Sequence, residues 1–292
     1  EEDKFNFSSI GKTETGILNN LNAVDFANNK YAFAVGDSGS IIISRDGGLS
    51  WNIKEFERKI NLSDVYSSSS GRTIIIGDSS SIYYSYDFLD SLQLINTYEG
   101  YTFFRIKFVD AETGFITGNK GIILKTTNGG INWYKVLTNT NNLIFDLTFF
   151  DSKQGFAVGW DGMILKTTNG GESWAPLDER IADNYLKSIS LTNNGYGLIV
   201  GGDGTILRTT NYGQKWSEKR IADLGGLQKV QFISSNDAIM IGNKGAILVS
   251  KDKGETWSLV ESQIYSNMND LATNPEGNIY VVGVNGMMFT IH

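Results

Sequence analysis

The apolar residues of this chain fall in short alternating runs, and the runs repeat. Between Phe103 and Val136 four such runs follow one another. Phe103–Phe108 alternates apolar and polar positions, as a half-buried strand does, and Gly114–Thr117, Ile122–Lys125 and Trp133–Val136 are the next three. Gly118-Asn119-Lys120-Gly121 separates the second run from the third as a tight turn, in which Gly and Asn are expected to supply positive φ at little cost. Thr126–Asn132 forms the turn before the fourth run.

This unit of about 41 residues occurs seven times. Glycines stand at Gly36, Gly77, Gly118, Gly159, Gly201, Gly242 and Gly283, with gaps of 41, 41, 41, 42, 41 and 41 residues. A small residue follows three positions later: Gly39, Ser80, Gly121, Gly162, Gly204, Gly245 and Gly286. Two positions further on is the apolar column Ile41, Ile82, Ile123, Ile164, Ile206, Ile247 and Met288. Twelve positions before each first glycine stand Val24, Val65, Ile106, Leu147, Ile189, Val230 and Leu271. A four-stranded unit of this length cannot bury both of its apolar faces alone, and stacking such units around an axis does so. The expected fold is all-β: a seven-bladed propeller with four antiparallel strands per blade, forming one domain over residues 1–292. The blades are expected near 21–60, 61–101, 102–142, 143–184, 185–225 and 226–266, with the last made of 267–292 plus 1–12. The seventh period ends at His292 after its third strand, and Lys4-Phe5-Asn6-Phe7-Ser8-Ser9-Ile10 offers the strand that closes it.

The turn before each fourth strand carries a second pattern, S/T-x-D/N-x-G-x-x-W. Its copies hold Ser44, Asp46, Gly48 and Trp51; Thr126, Asn128, Gly130 and Trp133; Thr167, Asn169, Gly171 and Trp174; Thr209, Asn211, Gly213 and Trp216; and Ser250, Asp252, Gly254 and Trp257. The second period keeps Ser85 and Asp87 but has Leu89 for the glycine and Leu92 for the tryptophan. A hydroxyl and a carboxylate or amide at this spacing can satisfy the N–H groups of the turn, and the tryptophan can cover the hairpin. The expected role is a structural lock rather than a metal loop.

Charge and composition narrow the function. A net charge of −7 disfavours nucleic acid and anionic membrane as main partners. No cysteine is present and the one histidine is His292, which leaves neither thiolate sites, nor a Ser-His-Asp triad, nor a histidine-based metal centre. No glycine-rich phosphate loop precedes a helix, and no cofactor is expected. No apolar run is long enough to span a bilayer as a helix. With Glu1 first, the targeting segment is expected to be missing from this chain.

The S/T-x-D/N-x-G-x-x-W turns resemble the Asp-box, or bacterial neuraminidase repeat. With the G-[ND]-x-G turns, all seven periods are similar to the photosystem II stability/assembly factor type of propeller. The resemblance implies a non-catalytic, extracytoplasmic protein that holds a protein client, as an assembly or scaffold factor, and a monomer is expected. A carbohydrate-binding or sialidase-like propeller is the alternative. Phe104-Arg105-Ile106-Lys107 approaches the F-R-I-P motif of sialidases but lacks its proline, and the repeat accounts for Phe104 and Ile106. Asp64, Asp146 and Asp270 are the carboxylates that a glycosidase could use.

Candidate binding residues lie on the face of the ring opposite the Asp-box turns, which the resemblance implies as the ligand face. One residue before the first-strand column stand Ala23, Asp64, Arg105, Asp146, Ser188, Lys229 and Asp270, expected to ring the mouth of the central channel. They read either as ion pairs that fix blade packing or as a ligand site. Trp160, in the turn Gly159-Trp160-Asp161-Gly162, is the one tryptophan outside the Asp-boxes and is a binding anchor or a cover for the neighbouring connection. Arg58, Arg180 and Arg220 are expected in blade-to-blade connections, either paired with Glu57, Glu179, Asp183 and Asp223 or free to fork onto a client's carboxylates.

Overall fold

The computed structural model describes residues 9–177 and 179–292. It is a ring of seven four-stranded antiparallel sheets. The innermost strands are Leu21–Phe26, Leu62–Ser67, Phe103–Phe108, Ile144–Phe149, Leu186–Leu191, Leu227–Phe232 and Met268–Thr273. The second and third strands of each blade carry the apolar runs and are buried on both faces, as Ala32–Gly36 and Ile41–Ser44 show. The core lies between the blades: Ile74, Ile76 and Ile82 of one blade pack with Ile106, Ile116 and Trp133 of the next.

The seven first glycines have a shared steric cause. Gly36, Gly159, Gly201, Gly242 and Gly283 are extended, with φ between −161° and −169°. A Cβ at any of the seven would strike the carbonyl just before the innermost strand of its own blade, such as Asn20 for Gly36 or Tyr185 for Gly201. That carbonyl accepts the N–H of the following residue, as Asn20 does from Asp37 at 2.9 Å. Of the residues expected to supply positive φ in this turn, Gly121 does so at 68°, and Lys120 at 54° takes the place of Asn119. The first glycine is needed for close approach rather than for handedness.

Closure also differs in position. Residues 4–8 of the expected Lys4–Ile10 strand lie outside the described residues. The strand that completes the seventh sheet is Ile10–Thr13, paired antiparallel with Met288–Ile291 from Ile10↔Ile291 to Thr13↔Met288. Thr15 then donates its hydroxyl to the Gly286 carbonyl at 2.8 Å, the contact that Thr138 makes with Gly121 in the third blade at 2.7 Å.

The Asp-box turns carry their own side-chain hydrogen bonds and tie back to the hairpin between the first two strands, as Gly47 does to the Lys30 carbonyl at 2.9 Å. Gly48 donates its N–H to the Ser44 hydroxyl at 2.8 Å, Ser50 donates to the Asp46 carboxylate at 2.9 Å, and the Trp51 indole donates to the Gly48 carbonyl at 3.1 Å. The degenerate second copy keeps the first two bonds, from Leu89 to Ser85 at 3.0 Å and from Ser91 to Asp87 at 2.9 Å. It does so with Phe88 and Leu89 at φ of 55° and 66°, conformations that glycine would take without strain. Leu89 is fully buried, so the side chain that strains the turn also fills the core below it.

Candidate functional site

Each innermost strand has a bulge one residue before the Ala23, Asp64, Arg105, Asp146, Ser188, Lys229 and Asp270 column, for example between Phe103 and Arg105. The bulge turns these side chains toward the axis and leaves the next N–H without a partner on its own sheet. The preceding blade supplies the acceptor. Asp64 takes the N–H of Ile106 at 2.8 Å, Asp146 that of Ile189 at 3.1 Å, Ser188 that of Val230 at 3.4 Å and Asp270 that of Val24 at 3.4 Å. Blades that present Ala23 or Arg105 offer no acceptor, and there Asp64 and Asp146 bind the N–H of their own successors, Val65 at 3.0 Å and Leu147 at 2.9 Å.

Arg105 draws the column together. Its guanidinium lies 3.3 Å from Asp64, 3.3 Å from Asp270 and 3.9 Å from Asp146, and the Lys229 amine lies 3.0 Å from Asp270. One arginine therefore ties its own blade to three others. Arg105 is only 13% exposed and the three carboxylates 6% or less. The expected ring at the channel mouth is thus a buried waist, one residue deeper than the mouth, because the bulge shifts the column inward. Burial raises the Asp64 carboxyl to about 6 in spite of Arg105. Burial acts on Asp270 in the same sense, but Arg105 and Lys229 outweigh it and hold that carboxyl below its ordinary range. Arg105 is lost to any sialidase-like role, since its charge is already matched by three fixed carboxylates.

The mouth itself is formed by the preceding positions: Asn22, Ser63, Phe104, Phe145, Lys187, Gln228 and Asn269. Asn22 and Asn269 donate their amides to the carbonyls of Leu62 and Leu21 in the next blades, both at 2.9 Å. The opposite side of the mouth is aromatic. The Phe104 and Phe145 rings are 5.5 Å apart, Phe145 meets Tyr185 edge-on at 6.4 Å, and Tyr185 stacks on Trp160 at 6.0 Å with an interplanar angle of 6°. Lys187 lies over Phe145, its amine 4.5 Å from the ring centroid. Burial, helped by repulsion from Arg105, holds that amine down to about 8.

Trp160 packs one ring face on the neighbouring connection and leaves the side chain 52% exposed. It follows Gly159 in a short turn, Trp160–Gly162, and its N–H is fixed by the Leu143 carbonyl at 2.9 Å. None of the four aromatics belongs to a blade-packing core cluster. Assigning Phe104 to the repeat alone is corrected here, since the equivalent positions in five other blades are polar. That contrast was the available signal for Phe104 and Phe145, whereas Lys187 and Tyr185 had none.

Of the three candidate arginines, Arg180 lies beside the Trp160 turn, and Arg220 and Arg58 lie elsewhere. Arg180 pairs with Asp161 at 2.7 Å and with Asp183 at 3.4 Å. Arg220 closes the outer strand Ser217–Arg220 rather than lying in a connection, and pairs with Glu218 at 2.9 Å. Arg58 is exposed in the connection after the first blade, its carbonyl against Gly39.

Comparison with known proteins agrees with this architecture. The family model described as "Photosynthesis system II assembly factor YCF48" matches residues 126–292. Among solved structures, one titled "YCF48 bound to D1 peptide" is 17% identical with a TM-score of 0.82, each chain covering 98% of the other. A second, YCF48 from Cyanidioschyzon merolae, is 18% identical with a TM-score of 0.80, covering 98% of this chain and 99% of its own. The streptogramin B lyase structure reaches 0.80 at 13% identity over 100% of this chain and 99% of its own, so the ring shape is shared well beyond one function. No curated protein matches the sequence.

Proposed function

The chain belongs to the YCF48-type photosystem II assembly-factor family, and on that premise we propose that it is a non-catalytic binding propeller that grips an extended segment of a client protein. The observation that carries this reading is the aromatic path Trp160–Tyr185–Phe145–Phe104. Rigid aromatic rings that run from a rim turn to the channel mouth, outside every core cluster, are the anchors that protein interfaces use. A solved relative of the same shape holds a D1 peptide, which supports a polypeptide as the ligand class. The waist carboxylates are bound to backbone N–H groups and to Arg105, which removes the free acid pair that a glycosidase needs. A setting outside the cytoplasm belongs to the same proposal and rests on family likeness.

A photo-crosslinking amino acid at position 160, compared with one at Tyr212 among the Asp-box turns, tests this reading in native cells. A dominant polypeptide adduct from position 160 and none from position 212 is expected. Equal adducts from both positions, or none from 160, would overturn it.

A further inference from the structure

Two glycines beside the aromatic path are not explained by the repeat. Gly202 opens the turn of the fifth blade, where the other blades have Asp37, Asp78, Asn119, Trp160, Asn243 and Val284. Gly226 stands just before the innermost strand of the sixth blade, where the others have Asn20, Asn61, Thr102, Leu143, Tyr185 and Asn267. Neither glycine has positive φ, so backbone conformation does not demand it.

Both glycines make room for Tyr185. A Cβ at Gly202 would come within 2.9 Å of the Tyr185 ring, and one at Gly226 would strike its hydroxyl oxygen. The ring therefore lies across Gly202 and reaches from the fifth blade to the sixth. Trp160 of the fourth blade stacks on it at 6.0 Å, and Phe145 meets it edge-on. Tyr185 is thus the link between the rim turn and the channel mouth.

This arrangement removes a hydrogen bond that other blades keep. There an asparagine in the place of Gly226 accepts the N–H of the second turn residue of the preceding blade: Asn61 from Ser38 at 3.1 Å, Asn267 from Lys244 at 2.9 Å and Asn20 from Asn285 at 3.0 Å. Gly226 has no side chain to offer Asp203, the corresponding residue. A bond between blades is absent where one partly exposed ring is seated, and stability set aside at one place in a repeat is a mark of function.

On the reading of the aromatic face as the client site, we propose that Gly202 and Gly226 are its positioning residues. They seat Tyr185 flat across the blade boundary, and Tyr185 holds Trp160 in the orientation that the client meets.

The test is Gly226→Asn and, separately, Gly202→Asn, since the repeat uses asparagine at both places in other blades. Tm is expected to stay within about 2 °C of wild type or, for Gly226→Asn, to rise, because the Asp203 N–H gains an acceptor. Acrylamide quenching of Trp160, taken as the difference from the same protein carrying Trp160→Phe, should increase in both. In native cells the polypeptide adduct of a photo-crosslinking amino acid at position 104 should fall at least about fivefold in both. Tyr185→Ala should lose as much, and adding Gly226→Asn to it should lose nothing more. Unchanged quenching, a further loss in the double variant, or a wild-type adduct that survives in the glycine variants would overturn this inference alone. A Tm lowered by more than about 5 °C in both glycine variants would make them packing residues and overturn it as well. A wild-type protein that gives no adduct, or an adduct indifferent to Trp160→Ala, would sink the reading of the aromatic face and this inference with it.

Discussion

The two faces of the ring are built from the same repeat and serve it differently. On the Asp-box face the hydroxyl and the carboxylate or amide of each turn make the same hydrogen bonds in every copy. Ion pairs then join blades two by two: Arg45 to Asp90, Lys125 to Glu172 and Arg208 to Glu255. On the opposite face the turn backbone is equally periodic, but the side chains on it are not. Asn22 and Asn269 hydrogen-bond to neighbouring blades, whereas Phe104, Phe145, Tyr185 and Trp160 meet one another across blade boundaries without joining any core cluster. Departure from a repeat marks residues that the architecture does not require. On the proposed function the two faces divide stability from recognition, and each prediction below presses on that division.

The largest effect should come from breaking what both faces share. Removing residues 1–13 leaves Met288–Ile291 as an exposed edge and opens the ring. Tm is expected to fall by at least about 10 °C, read by circular dichroism, with binding at Trp160 lost alongside. An unchanged Tm would refute closure by this strand.

Next is Trp174→Ala on the Asp-box face. Trp174 is 1% exposed and meets Phe115 and Phe149 edge-on. Chemical denaturation should show a loss of about 3–5 kcal/mol, with client affinity unchanged wherever the variant is folded. A loss of affinity in the folded variant would blur the division.

The waist predicts a pH dependence of opposite sign for two of its acids. Asp64 is raised to about 6, so the folded state binds this proton more tightly than the unfolded chain does. Its contribution grows as pH falls from about 7 toward the ordinary carboxylate range, on the order of 2–3 kcal/mol. Asp270 is depressed, so its contribution is present at neutral pH and is lost as pH falls below the ordinary range. Relative to wild type, Asp64→Asn should therefore be less stable at pH 5 than at pH 7.5, whereas Asp270→Asn should be destabilised at both. Denaturation at the two pH values decides it, and identical profiles for the two variants would contradict the assignment.

Trp160→Ala should move binding without stability. Client affinity is expected to drop at least about tenfold, while unfolding free energy shifts by less than about 0.5 kcal/mol, because half of the ring is already in solvent. A stability loss as large as that of Trp174→Ala would make Trp160 a packing residue. The smallest effect belongs to Arg220→Ala, which removes one exposed pair with Glu218 and should leave the Tm unchanged in a thermal melt.

Most of the fold was legible in the chain, because its determinants are local and recur. Strands two and three are continuous apolar runs, the hydroxyl and carboxylate of each Asp-box lie two residues apart, and each first glycine stands where a carbonyl comes too close for a Cβ. Seven copies average out the irregular ones, so the degenerate turn at Leu89 did not hide the period. The candidate residues of the waist were legible as a column, but their depth was not. One bulge per innermost strand separates the mouth from the waist, and a bulge is set by pairing with the next strand.

By itself the sequence determined the blade count, the four-strand unit, the need for an N-terminal strand at closure and the Asp-box locks, since each depends on contacts within about 41 residues or on symmetry between copies. Only the tertiary structure decided what happens at the axis. There Arg105 meets Asp64, Asp146 and Asp270 from three other blades, and Trp160 reaches Tyr185 and the mouth across a blade boundary. Closing a ring brings members of one column within reach of each other and of residues from other columns, so the column is read from spacing but its partners follow from geometry.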